Sequence, residues 1–318
     1  MIQDINAANP PGSEAIKQEN KIKIHVCFSS DKIYAKFLSL AIVSLLSNKQ
    51  KNDYLCIYVM DGGLSEDDKE KLSALKSIAE FDLKFINIDS KRFKSCPVKN
   101  SKYITLAAYY RLLISDFFPE LDKIIYLDCD VLVKDSLKDF YETSVDGYYF
   151  AAVQDVDAQR ILERLPLKEY YNSGVLLLNL EKFRQEKFTE KVFEWIEENR
   201  SLLQLHDQDV LNLYCNGFIK QLPAIWNAQQ KYHKKVDGAV VMHYVGRFKD
   251  DFIFAGMREV FKTGYSIELS KALVKRFFCR IFKTTFQWIF RLKNKNDTQK
   301  ELTVLGMKFY MKRKSLKI

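Results

Sequence analysis

Long apolar runs and closely spaced cysteines are both missing from this chain of 318 residues. No stretch reaches the roughly 18 consecutive apolar residues of a membrane-spanning helix, so we expect no transmembrane segment. The six cysteines show no Cys-x-x-Cys spacing, which excludes a zinc ribbon and favours reduced thiols in a cytoplasmic protein. Hydrophobic residues make up 47% of the chain, with only 11 glycines and 6 prolines, so a disordered chain is also excluded.

Glycine-rich phosphate-binding motifs are missing as well. No dinucleotide-type or Walker-type pattern follows the first predicted strand, so a nucleotide would have to be held by side chains and a metal. Residues 1–21 lack the apolar block of a signal peptide and contain a Pro-Pro-Gly turn at 10–12. We therefore interpret them as a flexible polar leader.

The positive charge is concentrated at the C-terminal end. Residues 271–318 hold 14 Lys and Arg against two acids, a balance of +12 within a net charge of +9. Large apolar residues recur at helical spacing through 272–292, with basic residues between them, which predicts an amphipathic helix. Such a helix either packs back on the domain or lies on an anionic membrane surface, and we favour the membrane. No nucleic-acid recognition fold accompanies this tail, so nucleic acid is not expected as a partner.

Strand-like and helix-like segments alternate over the first two thirds of the chain, which predicts an α/β fold. We divide the chain into the leader 1–21, a catalytic domain 22–260 and a basic helical tail 261–318. The predicted strands are 22–29, 54–60, 83–88, 124–127, 149–153, 173–178 and 240–243. The predicted helices are 34–47, 65–80, 106–117, 181–199 and 207–214, the second with Ser65 as its N-cap and Asp68 completing a capping box.

Two carboxylates, Asp128 and Asp130, follow the apolar strand predicted at 124–127. Carboxylates at the carboxyl end of a strand make an oxygen-donor site for a divalent cation, which commonly clamps a diphosphate. That edge of an open α/β sheet is also where ligands bind. The alternative for an isolated Asp-x-Asp pair is a solvated acidic turn.

Five further segments accompany this motif: FSSDKIY at 28–34, YYR at 109–111, YYNSGVLLLN at 170–179, HDQDVLN at 206–212 and HYVGRFK at 243–249. In this order and at these separations, the six motifs resemble glycosyltransferase family 8 over residues 22–260. Within the family they most resemble the bacterial galactosyl- and glucosyltransferases of lipopolysaccharide and lipooligosaccharide cores. The resemblance implies a GT-A fold with a mixed, mainly parallel central sheet, a UDP-sugar donor, Mn²⁺ (or Mg²⁺) and retention of anomeric configuration.

The resemblance also assigns residues. Asp128, Asp130 and His243 match the metal ligands, a set of oxygen and nitrogen donors that suits Mn²⁺. The residues that match UDP-sugar contacts are Ser29, Ser30, Asp31 (which receives the uracil N–H), Arg111, Cys129 (through its backbone), Asn172, Gly246 and Lys249. Asp207 and Gln208 match the catalytic residues beside the donor sugar. The loop after Lys249 reads Asp-Asp-Phe where the family usually has Pro-Trp, so we expect the lysine contact to survive without the aromatic wall.

The mechanism implied for Gln208 is a front-face one. Retention normally suggests a carboxylate nucleophile, but an amide is a poor nucleophile. We therefore expect the acceptor hydroxyl to enter beside the departing UDP, with charge on UDP offset by the metal and Lys249.

The expected activity is transfer of galactose or glucose from UDP to a lipid-linked oligosaccharide at the inner face of the cytoplasmic membrane. Three alternatives remain open at this point: transfer to a protein acceptor, a catalytically inactive relative that binds nucleotide sugar, and a metal-dependent nucleotide-sugar hydrolase. The choice between galactose and glucose is not encoded in any motif.

Overall fold

Apolar segments between residues 24 and 253 form the core of the N-terminal part of the chain. In this computed structural model the described residues are 21–98, 105–229, 236–246, 251–253 and 255–256, with the strands at 290–294, 299–304 and 307–312. The chain divides into two compact units, Met1–Tyr265 and Ser266–Ile318. The strands of the first unit are β1 (Ile22–Ser30), β2 (Asp53–Asp61), β3 (Asp82–Asn87), β4 (Lys123–Leu127), β5 (Val131–Val133), β6 (Phe150–Gln154), β7 (Tyr171–Asn179), β8 (Ile219–Gln221), β9 (Ala228–Gln229) and β10 (Val241–His243).

Seven of these strands make one sheet, in the order β3-β2-β1-β4-β7-β6-β8. Strand β1 pairs in parallel with β2 and β4, β2 with β3, and β6 with β8, whereas β7 runs antiparallel to β4 and β6. The sheet is therefore mixed and mainly parallel, which confirms the predicted fold class. Because β4 and β7 are buried along nearly their whole length, they read as continuous apolar runs rather than alternating ones.

The helices of the first unit flank this sheet. Among the described residues of this unit they include α1 (Ala35–Asn48), α2 (Glu66–Ser73), α3 (Ile114–Phe117), α4 (Lys138–Glu142), α5 (Ala158–Leu162), α6 (Leu180–Gln185), α7 (Phe188–Asn199) and α8 (Asp207–Tyr214). The capping box predicted at Ser65 and Asp68 is present, and α8 has the predicted bounds.

Three predicted helices differ from the structure. The one predicted at 65–80 is α-helical only as α2 and continues as the 3₁₀ helix Ala74–Ser77. Residues Leu106–Leu113 form a 3₁₀ helix that continues into α3. The predicted helix 181–199 is broken between α6 and α7, where Lys187 has φ 52°. The break allows Phe183 and Phe188 to stack in the core with ring centroids 4.0 Å apart. Tertiary packing of two aromatic rings therefore outweighs the local preference for one continuous helix.

A second, three-stranded sheet has the order β5-β10-β9. Strand β10 is antiparallel to β5, with His243 opposite Val131, and parallel to β9, with His243 opposite Gln229. Only β10 of these three strands is predicted from the sequence; β5 and β9, of three and two residues, are not. This small sheet fixes the chain immediately after Asp130.

The second unit corrects one prediction. Its described strands β11 (Phe290–Asn294), β12 (Gln299–Val304) and β13 (Met307–Lys312) form an antiparallel sheet. The predicted helix 272–292 is therefore wrong at its C-terminal end, where local strand pairing replaces it, and residues 272–289 lie outside the described residues. Across the described parts of the chain, no helix combines the length and the hydropathy of a membrane span.

Candidate functional site

Strands β1 and β4 end, and β7 begins, at one edge of the large sheet, where a cavity of about 330 Å³ opens. Its lining includes most of the residues singled out from the sequence, among them Ser29, Arg111, Asp128, Cys129, Asp130, Asn172, Asp207, Gln208, His243 and Gly246. Segments far apart in the chain thus contribute to a single cleft. This is the edge at which ligands bind in open α/β sheets.

Asp128, Asp130 and His243 lie together, each offering one ligand atom within 4.8 Å of the others. The Nε2 atom of His243 is 3.4 Å from Oδ1 of Asp130 and 3.8 Å from Oδ2 of Asp128. Asp130 and His243 are buried, and Asp128 is partly exposed to the cleft. Two carboxylate oxygens and one imidazole nitrogen converging in this way suit a divalent cation that accepts both donor types.

The small sheet positions two of these side chains. Asp130 immediately precedes β5, and His243 is the last residue of β10, so their pairing places the two side chains side by side. The backbone N–H of Tyr244 also donates to the carbonyl oxygen of Asp130 at 3.0 Å. Strand register rather than sequence proximity therefore brings His243 to the acidic pair.

The two oxygens of Asp128 have different surroundings. Its Oδ1 accepts hydrogen bonds from Nη2 of Arg111 at 2.8 Å and from the hydroxyl of Tyr126 at 3.1 Å. Its Oδ2 faces His243. Because Oδ1 is occupied by two donors, the carboxylate is held with Oδ2 towards the candidate metal position.

Gly174 leaves the space that this cluster needs. It lies beside Asp128, whose backbone N–H donates to the Gly174 carbonyl oxygen at 2.8 Å. A Cβ atom at this position would stand 2.6 Å from Oδ2 of Asp128 and 3.0 Å from Nδ1 of His243. Any side chain here would therefore displace two of the three candidate ligands, Asp128 and His243. With this space open and three donor atoms converging, the residues present fit a bound cation.

Arg111 and Asp207 form a buried ion pair beside the cluster. Nε of Arg111 is 3.1 Å from Oδ2 of Asp207, and the two side chains are 4% and 6% exposed. The same guanidinium donates to the Ser173 carbonyl oxygen and lies over the Tyr126 ring at 4.3 Å. Burial alone would lower the pKa of Arg111, but the charges of Asp128 and Asp207 keep it above its ordinary value.

Burial, helped by the negative charge of Asp128, raises the pKa of the Asp207 carboxyl to about 6 against the lowering effect of Arg111. The folded protein therefore holds this proton more tightly than the unfolded chain does. A raised acid pKa contributes stability that is present at low pH and is lost as the pH rises through about 6.

We accordingly expect Asp207→Asn to change the pH dependence of folding in metal-free protein. As the pH rises from about 4 to about 7, the native chain should lose up to about 3 kcal/mol of its free energy of unfolding through this group, and the variant should not. The difference between the two proteins should therefore shift in favour of the variant over this range. Urea denaturation in the presence of a chelator measures this difference. Parallel stability curves for the two proteins would show that Asp207 does not carry the effect.

Gln208 and Asn172 share an amide network with Asp155. Oε1 of Gln208 accepts from Nδ2 of Asn172 at 3.2 Å and from the Ser173 N–H at 3.1 Å. Oδ2 of Asp155 accepts from Nε2 of Gln208 at 3.1 Å and from Nδ2 of Asn172 at 3.0 Å. The Asp155 carboxylate can only accept and the Ser173 N–H can only donate, so these two groups fix which end of each amide is the nitrogen and which is the oxygen.

The segment after β1 and the loop after β10 are the outer parts of the site. Ser29 and Ser30 are buried, and Ser29 accepts a hydrogen bond at its carbonyl oxygen from the Cys129 thiol at 3.2 Å. Oδ1 of Asp31 accepts from the N–H groups of Ile33 and Tyr34 at 2.9 and 3.1 Å. Gly246 has φ +73°, a conformation that favours glycine. Lys249 lies outside the described residues, so its contact to a diphosphate stays a prediction.

Several residues at this site are not among those predicted from the sequence. Asp155 had a signal, because it begins a second Asp-x-Asp pair, with Asp157, directly after the apolar strand β6. Tyr126 was treated only as part of a strand, although its hydroxyl holds Asp128. Asn227 had no signal, since it lies in a short connection between a 3₁₀ helix and a two-residue strand.

The mixed sheet, the candidate metal site at its edge and the adjoining polar cleft define a GT-A-like α/β protein. Residues 25–250 match the sequence profile of the family described as Glycosyl transferase family 8. The chain therefore belongs to glycosyl transferase family 8, as the resemblance had indicated.

Individual relatives extend this likeness. The chain is 29% identical over 246 residues to General stress protein A of Bacillus subtilis (strain 168), covering 70% of this chain and 85% of that protein. It is 29% identical over 248 residues to a lipopolysaccharide 1,2-glucosyltransferase of Escherichia coli, covering 75% and 72%. The crystal structure of galactosyltransferase LgtC in complex with donor and acceptor sugar analogs matches with a TM-score of 0.69 at 24% identity, over 80% of this chain and all of that one. This structural likeness shows the fold.

Proposed function

We propose that this protein is a retaining hexosyltransferase that moves galactose or glucose from a UDP-sugar to a lipid-linked oligosaccharide. The observation that carries the proposal is the convergence of Asp128, Asp130 and His243 in the same cleft as the Arg111–Asp207 pair and Gln208. A bound divalent cation, which we take to be Mn²⁺, would supply positive charge to the diphosphate of the donor.

The chain's own residues would orient the donor sugar. Asn172, Asp207 and Gln208 present polar groups to the cleft, and Arg111 holds both Asp128 and Asp207 in place. Asn172, Asp207 and Arg111 are buried and Gln208 is partly buried. Because hydrogen bonds and an ion pair hold all four side chains, they are preorganised before a substrate arrives. Lys249 and Gly246 would close over the departing UDP, as the family resemblance implies.

The acceptor class is supported by the names of relatives. Besides the 1,2-glucosyltransferase, the chain is 24% identical over 248 residues to a lipopolysaccharide 1,3-galactosyltransferase of Salmonella typhimurium. One name specifies glucosyl transfer and the other galactosyl transfer, so the pair favours a lipopolysaccharide-type acceptor without choosing between galactose and glucose.

The experiment is a donor panel. Purified protein is incubated with UDP-galactose, UDP-glucose and other UDP-sugars, with Mn²⁺ or a chelator, and UDP release is measured with and without a cell-envelope oligosaccharide fraction. Metal-dependent release that rises with the acceptor supports the proposal. Release that ignores the acceptor indicates a hydrolase, and binding without release indicates an inactive relative.

Gln208 is proposed to stabilise the oxocarbenium-like state and not to form a covalent bond. Its Oε1 atom already accepts hydrogen bonds from Asn172 and Ser173, and an amide is a poor nucleophile. We expect Gln208→Ala to retain measurable turnover, reduced about 10²–10⁴-fold, the scale of one lost positioned polar group. Steady-state kinetics measures this, and a sugar adduct on Gln208 or Asp207 found by intact-protein mass spectrometry would contradict it.

The basic tail is proposed to attach the enzyme to an anionic membrane at its cytoplasmic face. The charge balance of +12 over residues 271–318 supports this, because each Lys or Arg near such a surface contributes roughly 1 kcal/mol. We expect the full chain to sediment with phosphatidylglycerol vesicles at low salt and much less with phosphatidylcholine vesicles. Equal sedimentation of a variant lacking residues 271–318 would overturn the proposal.

A further inference from the structure

Asn227 is a buried polar residue at the wall of the candidate metal site, with a side chain 1% exposed. It follows the 3₁₀ helix Ala224–Trp226 and precedes β9. Strand β9 pairs in parallel with β10, with His243 opposite Gln229, and the Asn227 side chain reaches the His243 ring from two residues before that pair. Stacking of Trp226 on Phe140, with centroids 5.1 Å apart, anchors the preceding turn. The position of Asn227 is therefore fixed by the small sheet and by the anchored turn before it.

The two polar atoms of Asn227 face different partners. Its Oδ1 lies 3.1 Å from Nδ1 of His243, and its Nδ2 donates to Oδ1 of Asn172 at 2.9 Å. The amide thus connects a candidate metal ligand with the network that surrounds the donor-sugar side of the cleft.

The orientation of this amide follows from a backbone group. The N–H of Gly174 donates to Oδ1 of Asn172 at 3.0 Å, and Asn172 gives its Nδ2 hydrogens to the acceptor Asp155. Oδ1 of Asn172 is therefore an acceptor, so the atom of Asn227 that meets it has to be the amide nitrogen. The carbonyl oxygen of Asn227 is left to face His243.

The tautomer of His243 follows in turn. A carbonyl oxygen only accepts hydrogen bonds, so Nδ1 of His243 carries the proton. The lone pair of Nε2 is then directed at the space shared with Asp130 and Asp128, 3.4 and 3.8 Å away. Metal-bound histidines generally have the second ring nitrogen fixed by such an acceptor, most often a carboxylate or a backbone carbonyl.

We propose that Asn227 is a positioning residue that fixes His243 in its Nδ1–H tautomer and joins the metal ligand to Asn172. The proposal rests on the assignment of Asp128, Asp130 and His243 as the metal site in the proposed function. Asn227 acts through His243 and does not itself touch substrate. Its carboxamide matters because it accepts on one side and donates on the other.

Two variants separate these two tasks. Asn227→Leu has similar size and removes both hydrogen bonds. We expect it to weaken Mn²⁺ binding about 10–100-fold, the usual effect of losing such a partner. Asn227→Asp keeps an acceptor for His243 and adds negative charge, so its Mn²⁺ affinity should equal or exceed that of the native chain. In this variant a carboxylate oxygen would face Oδ1 of Asn172 in place of the Asn227 amide nitrogen, so the hydrogen bond to Asn172 is lost. Because Asn172 lies on the donor-sugar side of the cleft, the KM for the donor should rise.

Asn212 provides a matched control. It is also buried, at 2% exposure, and it exchanges hydrogen bonds with Tyr171 at 2.7 and 2.8 Å. Asn212→Leu therefore removes an equally buried asparagine that does not contact a candidate ligand. We expect it to lower thermal stability as much as Asn227→Leu does, with unchanged Mn²⁺ affinity.

The primary readout is Mn²⁺ alone, titrated into the full-length protein and followed by electron paramagnetic resonance of the free ion. Asp130→Asn shows whether the site exists: if it binds Mn²⁺ as the native chain does, the proposed metal site fails. If Asp130→Asn loses binding while Asn227→Leu retains native affinity, the inference about Asn227 is overturned and the proposed function stands.

A second readout does not depend on metal or on recovery of a folded Asn227→Leu variant. Long-range ¹H–¹⁵N correlation spectra of metal-free native protein report the tautomer of each of the four histidines, and His243→Ala identifies the signal. We expect the Nδ1–H form in native protein and in Asn227→Asp. A predominant Nε2–H form in the native protein overturns the proposal.

Discussion

Replacing Asp130 by asparagine is expected to lower metal-dependent UDP release at least about 1,000-fold, which corresponds to about 4 kcal/mol of lost charge stabilisation. Asp130 is buried and its Oδ1 lies 3.4 Å from Nε2 of His243. The carboxamide has nearly the same shape, but it lacks the charge and offers one oxygen in place of two. UDP release as a function of Mn²⁺ concentration measures the effect.

The same substitution should not unfold the protein. It removes one of two neighbouring carboxylates from a largely buried cluster, so like-charge repulsion falls in the metal-free state. The melting temperature in chelator should therefore equal or exceed that of the native chain. Asp135→Asn is a matched control, because Asp135 is exposed just beyond the far end of β5. Full activity of Asp130→Asn with Mn²⁺ would refute the metal assignment.

Adding one methyl group at Gly174 is expected to be nearly as damaging. The new Cβ would lie 2.6 Å from Oδ2 of Asp128, closer than Cβ atoms are found to other heavy atoms. The φ of Gly174 lies outside the left-handed region, so alanine is tolerated by the backbone and the effect comes from space alone. We expect Gly174→Ala to raise the half-saturating Mn²⁺ concentration about 100-fold or more, beyond the usual effect of losing an outer-shell partner.

Stability and metal binding should respond differently to substitutions in this strand. Overpacking at Gly174 costs about 1–3 kcal/mol of folding free energy. The adjacent Val175 is fully buried, and Val175→Ala should cost a similar amount through lost methyl groups, about 2 kcal/mol. Val175→Ala should nevertheless keep native Mn²⁺ half-saturation. If both variants changed it equally, general destabilisation rather than occupation of the site would explain the loss.

Much of the fold could be predicted from local patterns. The strands β1, β4 and β7 and the helix α8 are predictable from the sequence. A buried strand is a continuous apolar run, and the start of a helix has a recognisable local sequence. The 3₁₀ helix at 106–113 and the break at Lys187 are not predictable in this way, since they depend on which side chains meet across the core. The tail strand β11 is predicted as a helix because the helical spacing of apolar residues in 272–292 does not reveal its pairing with the next segment, β12.

The candidate site divides in a similar way. The sequence singles out Asp128 and Asp130 by their position after an apolar strand, and His243 through the family resemblance. Residues that act by orientation were missed. Tyr126 and Asn227 hold candidate ligands through hydrogen bonds whose geometry exists only after the strands have paired.

The sequence by itself determined the α/β class, the family and the residues able to carry the chemistry, because hydrophobic periodicity and short motifs are local properties. Only the tertiary structure decided what surrounds Asp128 and Asp130. Pairing of β5 with β10 brings His243 to the acidic pair, and pairing of β4 with β7 sets the side-chain-free Gly174 against Asp128. The amide of Asn227 then determines which nitrogen of His243 faces the carboxylates. Register and close approach are properties of paired strands, and no single segment contains them.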